Sequence, residues 1–288
     1  MIFIARGNVP AVLSATDADR LDELARAKAH YNKQVLPRKG FEFVHYKHDS
    51  VKVALRIMFG RFCAYCESDY ACATPADIEH FRPKGAYLVQ GKKKAKLHKP
   101  GYWWLGASWD NLLLSCPGCN RVWTQEIKRV AQAPTMDLAG KGNWFPLADE
   151  SKRATKEGDE VHEQSVLVNP CIDKPKNHFR FLENGMIEPM DIRGDISIKV
   201  YGLARADLVS SRSDHAKRIR FAMSMLKMAV NELNFASPNP FEKIKLALDE
   251  IYAIRRERYK AVVHALFDTD FRQLMDGVES ALLDYFKT

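Results

Sequence analysis

No run of this 288-residue sequence is long and apolar enough to cross a bilayer, and the opening "MIFIARGNVP" is too short an apolar stretch for an export signal. A cytoplasmic location is therefore expected. Low-complexity tracts are also missing, and the 46% hydrophobic and 28% charged content is that of a globular chain with room for one large domain or two ordinary ones. Cysteine is scarce, with six in all: Cys63, Cys66, Cys72, Cys116, Cys119 and Cys171. Without an export signal paired disulfides are disfavoured, and two Cys-x-x-Cys spacings suit a metal better. Acidic residues are absent from "KGAYLVQGKKKAKLHK", which holds Lys84, Lys92, Lys93, Lys94, Lys96 and Lys99 in a chain of net charge +8. Such a run is either a solvated loop or a phosphate-contacting one.

Residues 17–35 carry Leu21, Leu24, Ala25 and Lys28 at helical spacing after an acid-rich start. "HDSVKVALRIMFGRF" predicts a second helix, capped by Asp49 or Ser50 and stopped by Gly60. From Cys63 to about Trp144 the chain is rich in Gly, Pro, Cys and aromatics, and a helix is expected to begin at Pro117 and run through "PGCNRVWTQEIKRV". "GNWFPLADESKRATKEGDE" reads as a polar boundary, "SVLVNP" as a short strand, and "HFRFLENGMIEPM" as a hairpin turning at Asn184-Gly185. Beyond Asp195 the pattern is helical, with Leu208, Ile219, Met223, Leu226 and Val230 as an apolar stripe. Met223, Met225 and Met228 are expected to pack in the core rather than to form a partner groove. The segments expected are 1–60 (helical), 61–150 (a cysteine-bound core) and 151–288 (a hairpin and helices).

The two Cys-x-x-Cys pairs can present four thiolates, from Cys63, Cys66, Cys116 and Cys119, to one tetrahedral structural zinc. Between them, "DIEHFRP" alternates like a short strand, so Glu79 and His80 point to opposite faces and can do separate work. "WDNLLLSC" returns to the second pair. The aromatics Tyr102, Trp103, Trp104 and Trp109 are expected to be a packed wall.

The series "CAYC…IEHFRP…WDNLLLSCPGCN" resembles the cysteine-containing branch of the HNH, or ββα-metal, nucleases. The fold implied is α+β, a zinc-stabilised ββα-metal core with an N-terminal helical segment and a mostly helical C-terminal region. The resemblance implies Glu79 as first ligand of a catalytic divalent ion, His80 as general base, Asn111 as the loop residue that orients it, and Asn120 as second ligand. Glu stands where Asp or His is usual, and Asn where the final His is usual; both supply oxygen, so Mg²⁺ or Mn²⁺ fits better than a second zinc. Arg82, Lys84 or the basic loop with Lys92, Lys93, Lys94 and Lys96 would hold neighbouring phosphates.

"YWWLGASWDNLLLSCPGCN", "GKGNWFPL", "VLVNPCIDKPKNHFRF" and "RGDISIKVYGLARADLVSSR" extend the likeness to the retron-associated HNH endonucleases, a group that includes the nuclease subunit of the Septu antiphage system. That resemblance implies bacterial defence, DNA as substrate and an SMC-like or ABC-type ATPase encoded alongside. Asn169, Asp173, His178 and Arg193 of its second block read as structural. Two other readings stand beside it: a non-catalytic zinc adaptor, and a stand-alone restriction or junction-resolving nuclease.

Overall fold

The computed structural model describes residues 1–71, 74–89, 95–233 and 238–287, with side chains through 283. Helix α1 (Ala18–Tyr31) starts where the Asp17 carboxylate accepts the Arg20 N–H at 2.8 Å. Its inward face differs from the expected one. Leu21 is exposed, while Glu23 is buried and accepts the N–H groups of Val44 (2.6 Å) and His45 (3.2 Å), tying the following segment to the helix. Helix α2 (Asp49–Phe59) buries Val51, Leu55 and Phe59, one face at helical spacing, and ends at Gly60 with φ +62°. Its cap is His48, whose Nδ1 accepts the Ser50 N–H at 3.2 Å, rather than Asp49 or Ser50.

Strand β1 (Asp77–His80) pairs antiparallel with β4 (Leu112–Ser115), setting Glu79 opposite Leu113 and His80 opposite Leu112. Between them lies a small arm, β2 (Tyr87–Val89) against β3 (Lys96–His98). Helix α3 (Pro117–Asn120) is a single turn. The expected continuation to residue 130 is a strand instead, β5 (Trp123–Ile127), paired with β6 (Thr135–Ala139). Val122, Trp123 and Thr124 favour a pleated backbone, and burial alternates along β5 with Gln125 and Ile127 inward. The Gln125 amide locks the register by donating to Ala139 O at 3.1 Å.

"SVLVNP" is buried but forms no strand, because side chains of α4 (Ile192–Tyr201) occupy the groups a neighbouring strand would use. Ser197 Oγ accepts the Val168 N–H (2.9 Å), and Tyr201 OH donates to Val168 O (3.1 Å). The hairpin of β7 (Phe179–Phe181) and β8 (Ile187–Pro189) turns at Asn184-Gly185 as expected. Gly185 has φ +81°, and a Cβ there would lie 2.0 Å from Val209 O. Asp173 accepts from Arg193 (2.7 Å) and Asn169 N–H (2.7 Å), and His178 pairs with Asp191 (2.6 Å), the structural work expected of this block.

Helices α5 (Ala206–Asn231), α6 (Glu242–Arg256) and α7 (Lys260–Lys287) pack together. Leu208, Ile219, Met223 and Leu226 are buried as expected, but Met225 and Met228 are exposed. Tyr102, Trp104 and Trp109 are buried, as a packed wall requires. Among the described residues no helix is long and apolar enough to cross a membrane.

Candidate active site

The first knuckle is a tight turn in which Cys63 O accepts the Glu67 N–H (2.9 Å) and Cys63 N–H donates to Ser68 O (3.1 Å). Ala64 N–H then donates to Leu114 O at 2.8 Å, docking the turn on β4. Strand β4 runs straight into Cys116, and Pro117 starts the turn that returns Cys119 N–H to Cys116 O at 3.1 Å. The four buried sulfurs lie within 4.8 Å of one another, with Cys66 and Cys116 3.7 Å apart. Tetrahedral zinc–thiolate bonds of about 2.3 Å place sulfurs about 3.8 Å apart, so the set fits one zinc. Among the described residues it is the one group of three or more His, Cys, Asp or Glu so gathered. Cys171 is a separate buried thiol, and Cys72 lies outside the described residues.

Arg205, which follows α4, reaches back to this cluster. Its Nη1 lies 3.4 Å from Cys119 Sγ, and its Nη2 lies 3.3 Å from Cys66 Sγ and 3.8 Å from Cys116 Sγ. Burial works to lower the Arg205 pKa, but the Cys119, Cys66 and Cys116 sulfurs overcome it and hold the guanidinium charged. Burial likewise opposes ionisation of Cys66, yet Cys116, Cys119, Cys63 and Arg205 keep that thiol well below its ordinary range.

Beside the knuckles opens a cleft of about 770 Å³ whose lining includes Asp77, Glu79, His80, Lys84 and Asn120. His80 Nε2 lies 2.9 Å from Gly106 O, an acceptor only, so Nε2 carries the hydrogen and Nδ1 keeps its lone pair. Burial and the nearby Lys84 charge push the imidazole pKa well below 6.5, which keeps it neutral. Lys84 Nζ lies 3.3 Å from Nδ1 and 4.6 Å from the centre of the Tyr46 ring, and burial lowers its pKa to about 8. Glu79 Oε1 is 2.7 Å from Lys141 Nζ, an ion pair without good hydrogen-bond alignment. Burial raises the Glu79 pKa against the pull of Lys141. Asn120 donates Nδ2–H to Asp77 Oδ2 at 3.0 Å, and the same carboxylate is held by Arg121.

Glu79, His80, Lys84 and Asn120 therefore come together, while Asn111, Arg82 and Lys96 do not line the cleft. Asn111 is buried with its amide on the backbone of Arg82 (Oδ1 accepting at 2.7 Å, Nδ2 donating at 2.9 Å) and of Leu105 (3.2 Å). It fixes the chain two residues past His80, and the groups that touch the imidazole are the Gly106 carbonyl, Lys84 Nζ and the Tyr46 ring. Arg82 is turned the other way, its Nε donating to the buried Glu163 at 2.8 Å. Lys96 is exposed on β3, and Lys92, Lys93 and Lys94 lie outside the described residues.

Over 276 residues the chain is 36% identical to Septu protein PtuB of Bacillus mycoides (strain KBAB4), covering 94% of this chain and 83% of that one. The chain belongs to the PtuB family. It is also 28% identical over 156 residues to Septu protein PtuA of the same strain, covering 54% of this chain and 19% of PtuA. No family model matches the sequence.

Three residues of this PtuB-family site carried no expectation from sequence: Arg205, Tyr46 and Lys141. Lys141 is fully buried and donates Nζ–H to His80 O at 2.9 Å while facing Glu79. Its signal was the "GKG" of "GKGNWFPL". Gly140 has φ +113°, and a Cβ there would lie 1.9 Å from Arg121 O, so only glycine lets this segment lie on the second knuckle. Lys141 N–H then donates to Cys119 O (2.8 Å) and Gly142 N–H to Asn120 O (2.6 Å). The lysine is thus fixed between the cysteine cluster and the cleft.

Proposed function

We propose that this PtuB-family chain is a divalent-metal-dependent endonuclease of HNH type that hydrolyses phosphodiester bonds of DNA. It would work in the cytoplasm as the effector of an antiphage defence system, with an SMC-like or ABC-type ATPase of the PtuA kind; the Septu names of its two relatives support a paired system. The observation that carries the chemistry is the state of His80: neutral, with Nε2–H fixed on Gly106 O and the Nδ1 lone pair turned to Lys84 Nζ at 3.3 Å, in the same cleft as Glu79 and Asn120.

Once Lys84 turns from Nδ1 to the substrate phosphate, His80 Nδ1 takes a proton from water as that water attacks phosphorus in line, a role worth roughly 10²–10⁴-fold in rate. Glu79 and Asn120 are two oxygen donors, a set suited to an ion that keeps several waters and shares a phosphate. Mg²⁺ or Mn²⁺ there would supply charge stabilisation to the phosphate and the leaving oxygen. Lys84 adds positive charge at the cleft. Asn111 and Lys141 hold the end of β1, so His80 and Glu79 keep their relative placement. The zinc-binding cysteines fix β1 and α3 at the separation that brings Glu79 and Asn120 together.

One observation favours the zinc-adaptor reading: Lys141 already neutralises Glu79. The two readings separate on plasmid cleavage by the purified chain, alone and with its ATPase, with Mn²⁺, with Mg²⁺ and with neither. Cleavage that needs the added ion and is lost in Glu79→Gln supports the nuclease. Silence in every arm, with zinc bound, supports the adaptor.

A further inference from the structure

The floor of the cleft is recessed, with Glu79 5% and His80 6% exposed. Its outer wall is aromatic and comes from outside the cysteine-bound region: Tyr31 at the end of α1, and Phe41 and Tyr46 on the chain between α1 and α2. The wall is braced from behind. Tyr31 stacks on Trp103 (5.9 Å between ring centres, 20°), and Phe41 meets Phe43 (4.8 Å) and His30 (5.8 Å) edge-on. Tyr46 in turn sets its ring against His80 at 4.6 Å, linking wall and floor.

We propose that the strand this cleft accepts is single-stranded DNA, with a base stacked on the Tyr31–Phe41 wall while its phosphate sits over His80. The proposal rests on the nuclease reading above and names its substrate class. Two physical facts favour one strand over two. A duplex is stiff, with a persistence length of about 50 nm, and cannot fold a phosphate and its base into a recess; a single strand can. The volume of about 770 Å³ lies within the roughly 300–1,000 Å³ of pockets that hold one compact ligand, room for a single nucleotide.

The charges agree. A duplex binder needs cations free to track two phosphate backbones. Of the cations lining this cleft, Lys84 faces His80 Nδ1 at 3.3 Å, and Lys47, Lys52 and Arg121 each have a carboxylate within 4 Å: Glu42 at 3.6 Å, Asp49 at 2.8 Å and Asp77 at 2.9 Å. Recognition therefore leans on stacking, which tolerates any base because every base has a π-face.

The test is fluorescence-anisotropy binding of labelled 20-mers to the full chain without divalent ion: dT20, an abasic strand with the same phosphates, a 20-bp duplex and rU20. The expected order has dT20 at least tenfold tighter than the abasic strand and the duplex, and no weaker than rU20. Phe41→Ala should weaken dT20 about fivefold or more, the lower end of one base–ring stack, and leave the abasic strand unchanged. Phe41→Trp should restore dT20 binding, which excludes misfolding as the cause. Equal binding of duplex or abasic strand, or no binding of any probe, overturns the proposal, and tighter rU20 overturns the choice of DNA. Failure of the two readings is distinguishable. A chain that binds in the expected order but never cuts with Mn²⁺ contradicts the nuclease reading alone, and one that cuts duplex in preference contradicts this inference alone.

Discussion

Around β1, β4 and α3 the interior is unusually polar. Glu79, His80, Asn111, Ser115 and Lys141 are all buried, every sheet among the described residues has two strands, and four cysteines close the unit. Across α5, α6 and α7 the interior is built mainly from Leu208, Ile219, Leu226, Ile244, Ile251, Ile254 and Val262, with Arg212 and His215 as buried ionisable groups among them. The first region is held by discrete bonds with one right partner each, the second by area removed from water, which many residues share. Precision of placement, which the proposed nuclease site would need, belongs to the first. The contrast has a seam at Arg205, where the start of the helical block meets the cysteine cluster.

Breaking the cluster should have the largest effect. Structural zinc sites are worth about 10–16 kcal/mol in small peptides, so Cys119→Ser should lose the bound zinc and destabilise the 61–120 region by more than about 5 kcal/mol. Metal analysis should give one zinc per wild-type chain and none in the variant, with proteolysis opening that region before α5–α7. Leu226→Ala, at a fully buried site on α5, should cost about 2–5 kcal/mol in a denaturant melt and leave one zinc bound. If it releases the zinc instead, the two regions are not separable in the way described.

A pH titration sharpens the contrast inside the helical block. His215 on α5 is buried, and burial lowers its pKa from 6.5 to about 4, with Glu257 pulling the other way. The unfolded chain therefore binds the extra proton first. The penalty is absent above pH 6.5, grows as pH falls through the window to about 4, and levels off near 3 kcal/mol. His215→Gln should flatten that part of the stability–pH curve. Smallest of all, Met225→Ser on the exposed side of α5 should change stability by no more than about 0.5 kcal/mol.

The cysteine pairs, the hairpin at Asn184-Gly185, α2 and the buried stripe of α5 were legible from sequence because each depends on residues close together in the chain. The departures share the opposite cause. Glu23 replaces Leu21 on the buried face of α1 because backbone N–H groups 21 and 22 residues away need an acceptor. Residues 123–127 become a strand because a second segment, 135–139, is there to pair. Of the site, Glu79 and His80 stood out as an acid–imidazole pair between the knuckles, and Asn120 was singled out by the family resemblance. Lys141 and Arg205 reach the site from 61 and 86 residues away; the glycines flanking Lys141 were its only local signal, and none announces Arg205. Arg82 was placed with the phosphates because it is adjacent to the pair in sequence, but Glu163, 81 residues on, claims it.

The central claim is that His80 is a base mounted on a zinc scaffold, and a single comparison tests it most directly: Mn²⁺-supported strand cleavage by wild type and His80→Ala, each matched for zinc content and Tm. The account predicts a loss of roughly 10²–10⁴-fold in rate with both controls unchanged. Equal cleavage by the two proteins would contradict it.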